Sequence, residues 1–206
     1  MLFSDQTISD FINENFEASW ESVRPVPKVT IDFGNGTIVH RTLHGNVATY
    51  VCRCDSTVLD VLPGIYEPQT YLERLEELAF MAERFRASEA EELVNDLGLA
   101  DYHRSRVQTI LTNEKLSSQG RTTAVDLASD GRRSAAKRAL ARNLKTDTEF
   151  NESERRLLIH RHLIAQSRMT PTELKDWLYR EVLHADLEDP YLGLQQVLFD
   201  RYPFED

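Results

Sequence analysis

Between Asn46 and Tyr66 the chain reads NVATYVCRCDSTVLDVLPGIY, two runs rich in apolar and β-branched residues that meet at Asp55-Ser56 and close on Pro63-Gly64. Such runs on either side of a polar turn predict an antiparallel hairpin that leads into a helix. Upstream, VTIDF and TIVHRTL alternate apolar and polar residues around Gly34-Asn35-Gly36, so a hairpin with a tight glycine turn is expected there too. A phosphate-cradling glycine loop would need a helix directly behind it, and here another strand follows. Before both hairpins, Phe11, Ile12, Phe16, Trp20 and Val23 recur at helical spacing. They predict an amphipathic helix that ends near Arg24, ahead of Pro25 and Pro27, with Phe16 and Trp20 in the core.

After the second hairpin the period changes from strand-like to helical. Pro68 suits a first helical turn, and Leu72, Leu75, Leu78, Ala79, Ala82 and Phe85 then share one face. From Ser88 onward the pattern is helical throughout. Ser88 with Glu91, Asn151 with Glu154, and Thr170-Pro171-Thr172-Glu173 read as capped helix starts, the last followed by Leu174, Trp177, Leu178 and Val182. Ser117-Ser118-Gln119-Gly120 reads as a linker between helices, Gly131 as a break, and no strand pattern returns after Leu62. The expected fold class is α+β: a small, mostly antiparallel sheet with flanking helices in residues 1–86, then an all-α region in residues 87–206.

The order strand, short polar turn, strand, Pro63-Gly64, brief extended link and a Leu-rich helix opening on Pro68-Gln69-Thr70-Tyr71-Leu72 resembles the C-terminal half of a thioredoxin-like domain, over roughly residues 28–86. In that family a cis-proline followed by threonine opens the first of these strands. Here the matching position is Ala48-Thr49, without the proline. The family's Cys-x-x-Cys motif is also missing, since no cysteine precedes Cys52. The resemblance therefore implies a thioredoxin-like sheet without the ordinary dithiol chemistry, kept as a binding platform.

Composition narrows the function classes. With 206 residues, 41% of them hydrophobic, the chain can bury a substantial core. A net charge of -10 argues against a polyanion as partner of the whole surface. Two cysteines make no disulfide framework, and no apolar run is long enough to span a membrane, so a cytoplasmic setting is expected.

Four residues invite chemistry. Cys52 and Cys54 on one extended strand would place their β-carbons about 6.6 Å apart. A disulfide needs roughly 3.5 to 4.5 Å, so a redox pair requires the turn to begin as early as Cys54. His40 and His44 would have to join both thiols to make a zinc site, although the cysteines lack the spacing that wraps two sulfurs around one ion. His160 and His162 point in different directions on a helix, Glu181 and His184 form a single Glu-x-x-His pair without a second, and no nucleophile elbow occurs. No catalytic residue and no cofactor is assigned.

Two further segments bear on partners. Arg132, Arg133, Lys137, Arg138, Arg142 and Lys145 give one basic face, which would suit an anionic partner or nucleic acid, or would simply balance the acidic helix containing Glu73, Glu76 and Glu77. The tail carries Tyr191, Leu192, Leu194, Phe199, Tyr202 and Phe204, anchors for another protein or a cap on the helical part. The expected function is non-catalytic protein interaction or scaffolding, with another protein or a second copy of the chain as partner. Thiol-redox or metal binding, and anion or nucleic-acid binding through residues 132–145, are the alternatives.

Overall fold

The computed structural model describes residues 2–25, 28–42, 47–87, 92–119, 143–166 and 168–189. It is a mixed α+β structure in which two separate antiparallel ribbons accompany a set of helices. After a short 3-10 turn at Leu2–Ser4, helix α1 spans Gln6–Asn15, started by the Asp5 carboxylate, which accepts from the Thr7 and Ile8 amides at 3.0 and 3.3 Å. The expected longer helix does not form. At Phe16 the backbone leaves the helix in an extended conformation, residues 17–25 form neither helix nor strand, Phe16 packs at the edge of the core, and Trp20 is 88% exposed. A different anchor holds this segment: Glu21 accepts from Lys175 Nζ at 3.1 Å and Arg24 donates to the Leu187 carbonyl at 3.0 Å, which leaves Val23 against the C-terminal helices.

Strands β1 (Lys28–Asp32) and β2 (Ile38–Thr42) form the first ribbon, in register from Lys28 opposite Thr42 to Asp32 opposite Ile38. Gly34 and Gly36 adopt positive φ in its turn, and the Phe33 amide donates to the Thr37 carbonyl at 3.1 Å. Strands β3 (Ala48–Cys52) and β4 (Val58–Pro63) form the second ribbon, with a bulge between Val51 and Cys52. The single sheet expected from sequence is thus two ribbons, with no strand pairing between them among the described residues. Their burial separates them, since β4 is buried along its whole length whereas Ile31 and Ile38 of the first ribbon are exposed.

Helix α2 spans Pro68–Ala87 and α3 spans Glu92–Gln119, so the Ser117-Ser118-Gln119 segment read as a linker is helix. Earlier in that helix the Thr109 hydroxyl donates to the Ser105 carbonyl and the Thr112 hydroxyl to that of Gln108. Residues 143–150 are helical and run through a π-turn at Asn151–Arg155 into α4 (Arg156–Ala165). Asn151 therefore lies inside a continuous helix and does not cap one. Helix α5 (Pro171–Trp177) does start as read, with Thr170 and Glu173 in a reciprocal capping box and Pro171 in the first turn, and passes into a second π-turn at Leu178–Val182.

Strand β4 lies between two apolar clusters. Val58 and Val61 pack with Ile159, Leu163, Leu174, Leu178 and Val182, while Leu59 and Leu62 pack with Ile8, Tyr66, Tyr71, Leu75, Leu78 and Leu99. Burial on both sides explains why VLDVLP is a near-continuous apolar run. No helix among the described residues is long and apolar enough to cross a membrane.

Candidate functional site

Asp60 is the exception in that apolar run, and it is fully buried. Its Oδ2 accepts from Arg156 Nη2 at 2.5 Å and from the Tyr102 hydroxyl at 2.8 Å, and its Oδ1 accepts from the Val61 amide at 2.8 Å and lies 3.9 Å from His160 Nδ1. His160 Nδ1 in turn lies 3.0 Å from His103 Nδ1, which requires one ring to donate and the other to accept. Burial alone would raise the Asp60 carboxyl, but the Arg156 guanidinium, the two imidazoles and the Tyr102 hydroxyl hold it below the usual carboxylate range. Burial pushes the imidazoles down, to about 4 at His103 and about 3 at His160, against the pull of Asp60. At neutral pH both rings are uncharged and Asp60 is paired with Arg156.

The π-turn makes this arrangement. An extra residue in the helical turn re-aims the side chains around Asn151–Arg155, and such insertions recur at functional positions. Arg156 reaches Asp60 on one side and Glu152 at 3.1 Å on the other, Glu152 accepts from Arg74 at 2.8 Å, and Glu77 accepts from Arg74 at 2.7 Å and Arg106 at 3.4 Å. Charges alternate from Asp60 at the centre to Glu77, which is about half exposed. Beside them, Asn151 donates to the Ile65 carbonyl and accepts from Arg155 Nη1, both at 2.8 Å, directly against Gly64.

Chemically, this cluster is complete on one side and open-ended on the other. Asp60 has its partners. The Nε2 atoms of His103 and His160, the Arg156 Nε and the Tyr66 hydroxyl are buried without a hydrogen-bond partner. Arg156, Asp60, His103 and His160 each expose 1% or less, and two surface hollows of the described residues lie elsewhere, one along α3 at Ser105–Asn113 and one at Asp176, Arg180 and Asp186–Glu188. The group as it stands joins β4, α3 and α4 and presents no face to solvent.

The cysteines and histidines singled out in the sequence are dispersed. His40 sits on β2 with its Nδ1 3.1 Å from the Thr30 hydroxyl, while Cys52 and Cys54 lie in the second ribbon as free thiols. His44 lies outside the described residues, and these include no group of three or more His, Cys, Asp or Glu arranged to hold a metal ion. The turn does begin at Cys54, the condition that a redox pair requires. Burial, with a contribution from Asp55, pushes the Cys52 thiol up to about 11, away from nucleophilic reactivity. His162 stacks on Trp177 with ring centroids 3.7 Å apart, and His184 is exposed. Of the basic candidates, Lys145 is exposed and lies 4.0 Å from Glu149, whereas Arg132, Arg133, Lys137, Arg138 and Arg142 lie outside the described residues. The tail candidates Tyr191, Leu192, Leu194, Phe199, Tyr202 and Phe204 also lie outside them.

The second feature is the first ribbon. Ile31 is 42%, Phe33 60% and Ile38 55% exposed, and no third strand pairs with β1 or β2 among the described residues. By register Ile31 and Phe33 lie on one face of the ribbon and Ile38 on the other. Comparison with protein-family models, curated proteins and solved structures yields no match.

Proposed function

We propose that the chain is a non-catalytic protein-interaction or scaffolding module that engages its partner through the β1–β2 ribbon. The observation that carries this reading is the exposure of Ile31, Phe33 and Ile38 on a two-stranded ribbon whose edges no other strand pairs among the described residues. An extended partner segment that adds to such an edge gains main-chain hydrogen bonds, and its side chains flank Ile31 on one face and Ile38 on the other. In this proposal the second ribbon followed by α2 is the thioredoxin-like half, adapted to binding without a dithiol.

The test is capture by the full-length tagged chain from cells that express it. A stoichiometric partner, a second copy included, should be retained by wild type and by Cys54→Ser and lost with Ile31→Asp. Retention by Ile31→Asp together with loss in Cys54→Ser would overturn the ribbon reading in favour of thiol chemistry.

A further inference from the structure

The residues of β1 are Lys28, Val29, Thr30, Ile31 and Asp32. Read in reverse beside itself about Thr30, the strand is its own complement: Lys28 meets Asp32, Val29 meets Ile31, and Thr30 meets Thr30. We propose that β1 pairs antiparallel with β1 of a second copy of this chain, so that two ribbons join into a four-stranded sheet across a two-fold axis. This rests on the ribbon reading above and names its occupant.

Hydrogen-bond parity agrees with that register. The Phe33 amide donates to the Thr37 carbonyl, which marks 33 and 37 as a hydrogen-bonded pair in the same register as Ile31 opposite Val39 and Val29 opposite Arg41. In an antiparallel ladder these pairs alternate with non-bonded ones. The main-chain groups of Lys28, Thr30 and Asp32 therefore point away from β2, toward the edge that no strand pairs among the described residues. Pairing about Thr30 uses those three residues as its hydrogen-bonded positions and leaves Val29 opposite Ile31 at the closer, non-bonded ones.

Charge selects β1 over β2. A lysine on an edge strand ordinarily discourages association. Here Asp32 stands where a second copy's Lys28 would lie, twice over by symmetry, and opposite charges directly across a strand pair attract. The edge of β2 offers nothing comparable, since pairing about His40 sets Ile38 against Thr42, Val39 against Arg41 and one imidazole against the other. Five paired residues make a small interface, so the association should be reversible and roughly micromolar or weaker.

Sedimentation of the full-length chain over a range of concentrations tests this. Wild type should pass from monomer to dimer. Lys28→Glu, which sets two like-charged pairs across the axis, should weaken the dimer by roughly tenfold or more. Adding Asp32→Lys to it should restore the dimer. Because Asp32 also accepts from the Gly34 amide at 2.8 Å and its loss could loosen the turn, a second variant is needed. Thr30→Cys, in a Cys52→Ser/Cys54→Ser background, should form a disulfide-linked dimer on mild oxidation, since the two positions would face each other at about 5.5 Å between α-carbons. A wild-type chain that stays monomeric at every concentration overturns the pairing, as does a dimer insensitive to Lys28→Glu and not trapped by Thr30→Cys. If Ile31→Asp nevertheless abolishes capture of a different protein, the ribbon reading stands and only its occupant changes.

Discussion

Arg156 Nη2 donates to Asp60 Oδ2 across 2.5 Å, with at most 1% of either side chain exposed. A strand and a helix nearly a hundred residues apart in sequence are thus joined by a charge pair held away from water. Removing one partner of such a pair leaves the other stranded, at a cost of about 3–5 kcal/mol. Arg156→Met should be the more damaging single change, because Asp60 then keeps only Tyr102, a neighbouring amide and the imidazoles. Asp60→Leu leaves Arg156 paired with Glu152. Urea unfolding of both singles and of Asp60→Leu/Arg156→Met should show the double variant well above the sum of the two losses. Strict additivity would contradict the pairing.

Acid should erode stability over two overlapping pH ranges. His103 and His160 are held neutral, with folded values of about 4 and about 3 against 6.5. Below pH 6.5 the unfolded chain binds protons that the folded chain refuses, so stability falls from there down to about pH 4 and then 3. The slope is on the order of 1.4 kcal/mol per pH unit for each imidazole. Asp60, lowered in the folded state, adds a second loss below about pH 3.8. Melting temperatures between pH 8 and 4 should drop steeply for wild type and less for His103→Gln, which retains hydrogen-bonding groups without titrating in that range.

Gly64 is fixed by two constraints at once. Its φ is +78°, and a β-carbon there would lie 2.9 Å from Arg155 Nη1 and 3.0 Å from the Asn151 amide group. Gly34 shares the positive φ, but nothing lies within 4 Å of its would-be β-carbon. Gly34→Ala should therefore cost only the backbone term, roughly 1 kcal/mol. Gly64→Ala should cost distinctly more, and equal losses in thermal unfolding would contradict the close packing of the π-turn on Gly64.

The thiols should differ. Cys54 is exposed, while burial holds the Cys52 thiol up to about 11. An aromatic disulfide reagent at pH 8 should modify one thiol quickly in the native protein, and Cys54→Ser should remove that phase. A fast phase that survives Cys54→Ser would return Cys52 to consideration as a nucleophile.

Local chemistry accounts for what the sequence made legible. The glycine turn at Gly34–Gly36, the polar turn at Asp55-Ser56 and the Thr170–Glu173 capping box each depend on neighbours within a few residues. The end of helix α1 escaped the same reasoning because Phe16 and Trp20 keep helical spacing in sequence, whereas Glu21 and Arg24 tie the non-helical segment to Lys175 and the Leu187 carbonyl from across the fold. The charge cluster was missed for a similar reason. Asp60, His103, Arg156 and His160 meet only after β4, α3 and α4 pack. One sign was available in advance: an aspartate inside the apolar run VLDVLP must find a buried cation or leave the strand. The ribbon's exposure was not legible either, because alternating VTIDF and TIVHRTL would look the same with one face covered.

Hydrogen–deuterium exchange of the full-length chain, dilute and then at high concentration or with its captured partner, is the most direct measurement of where the protein binds. Amides of residues 28–42 should gain protection on association, with those of Lys28, Thr30 and Asp32 foremost, while β4 stays equally protected in both states. Protection that appears instead around Cys52–Ser56, with the ribbon unchanged, would contradict binding through β1 and β2.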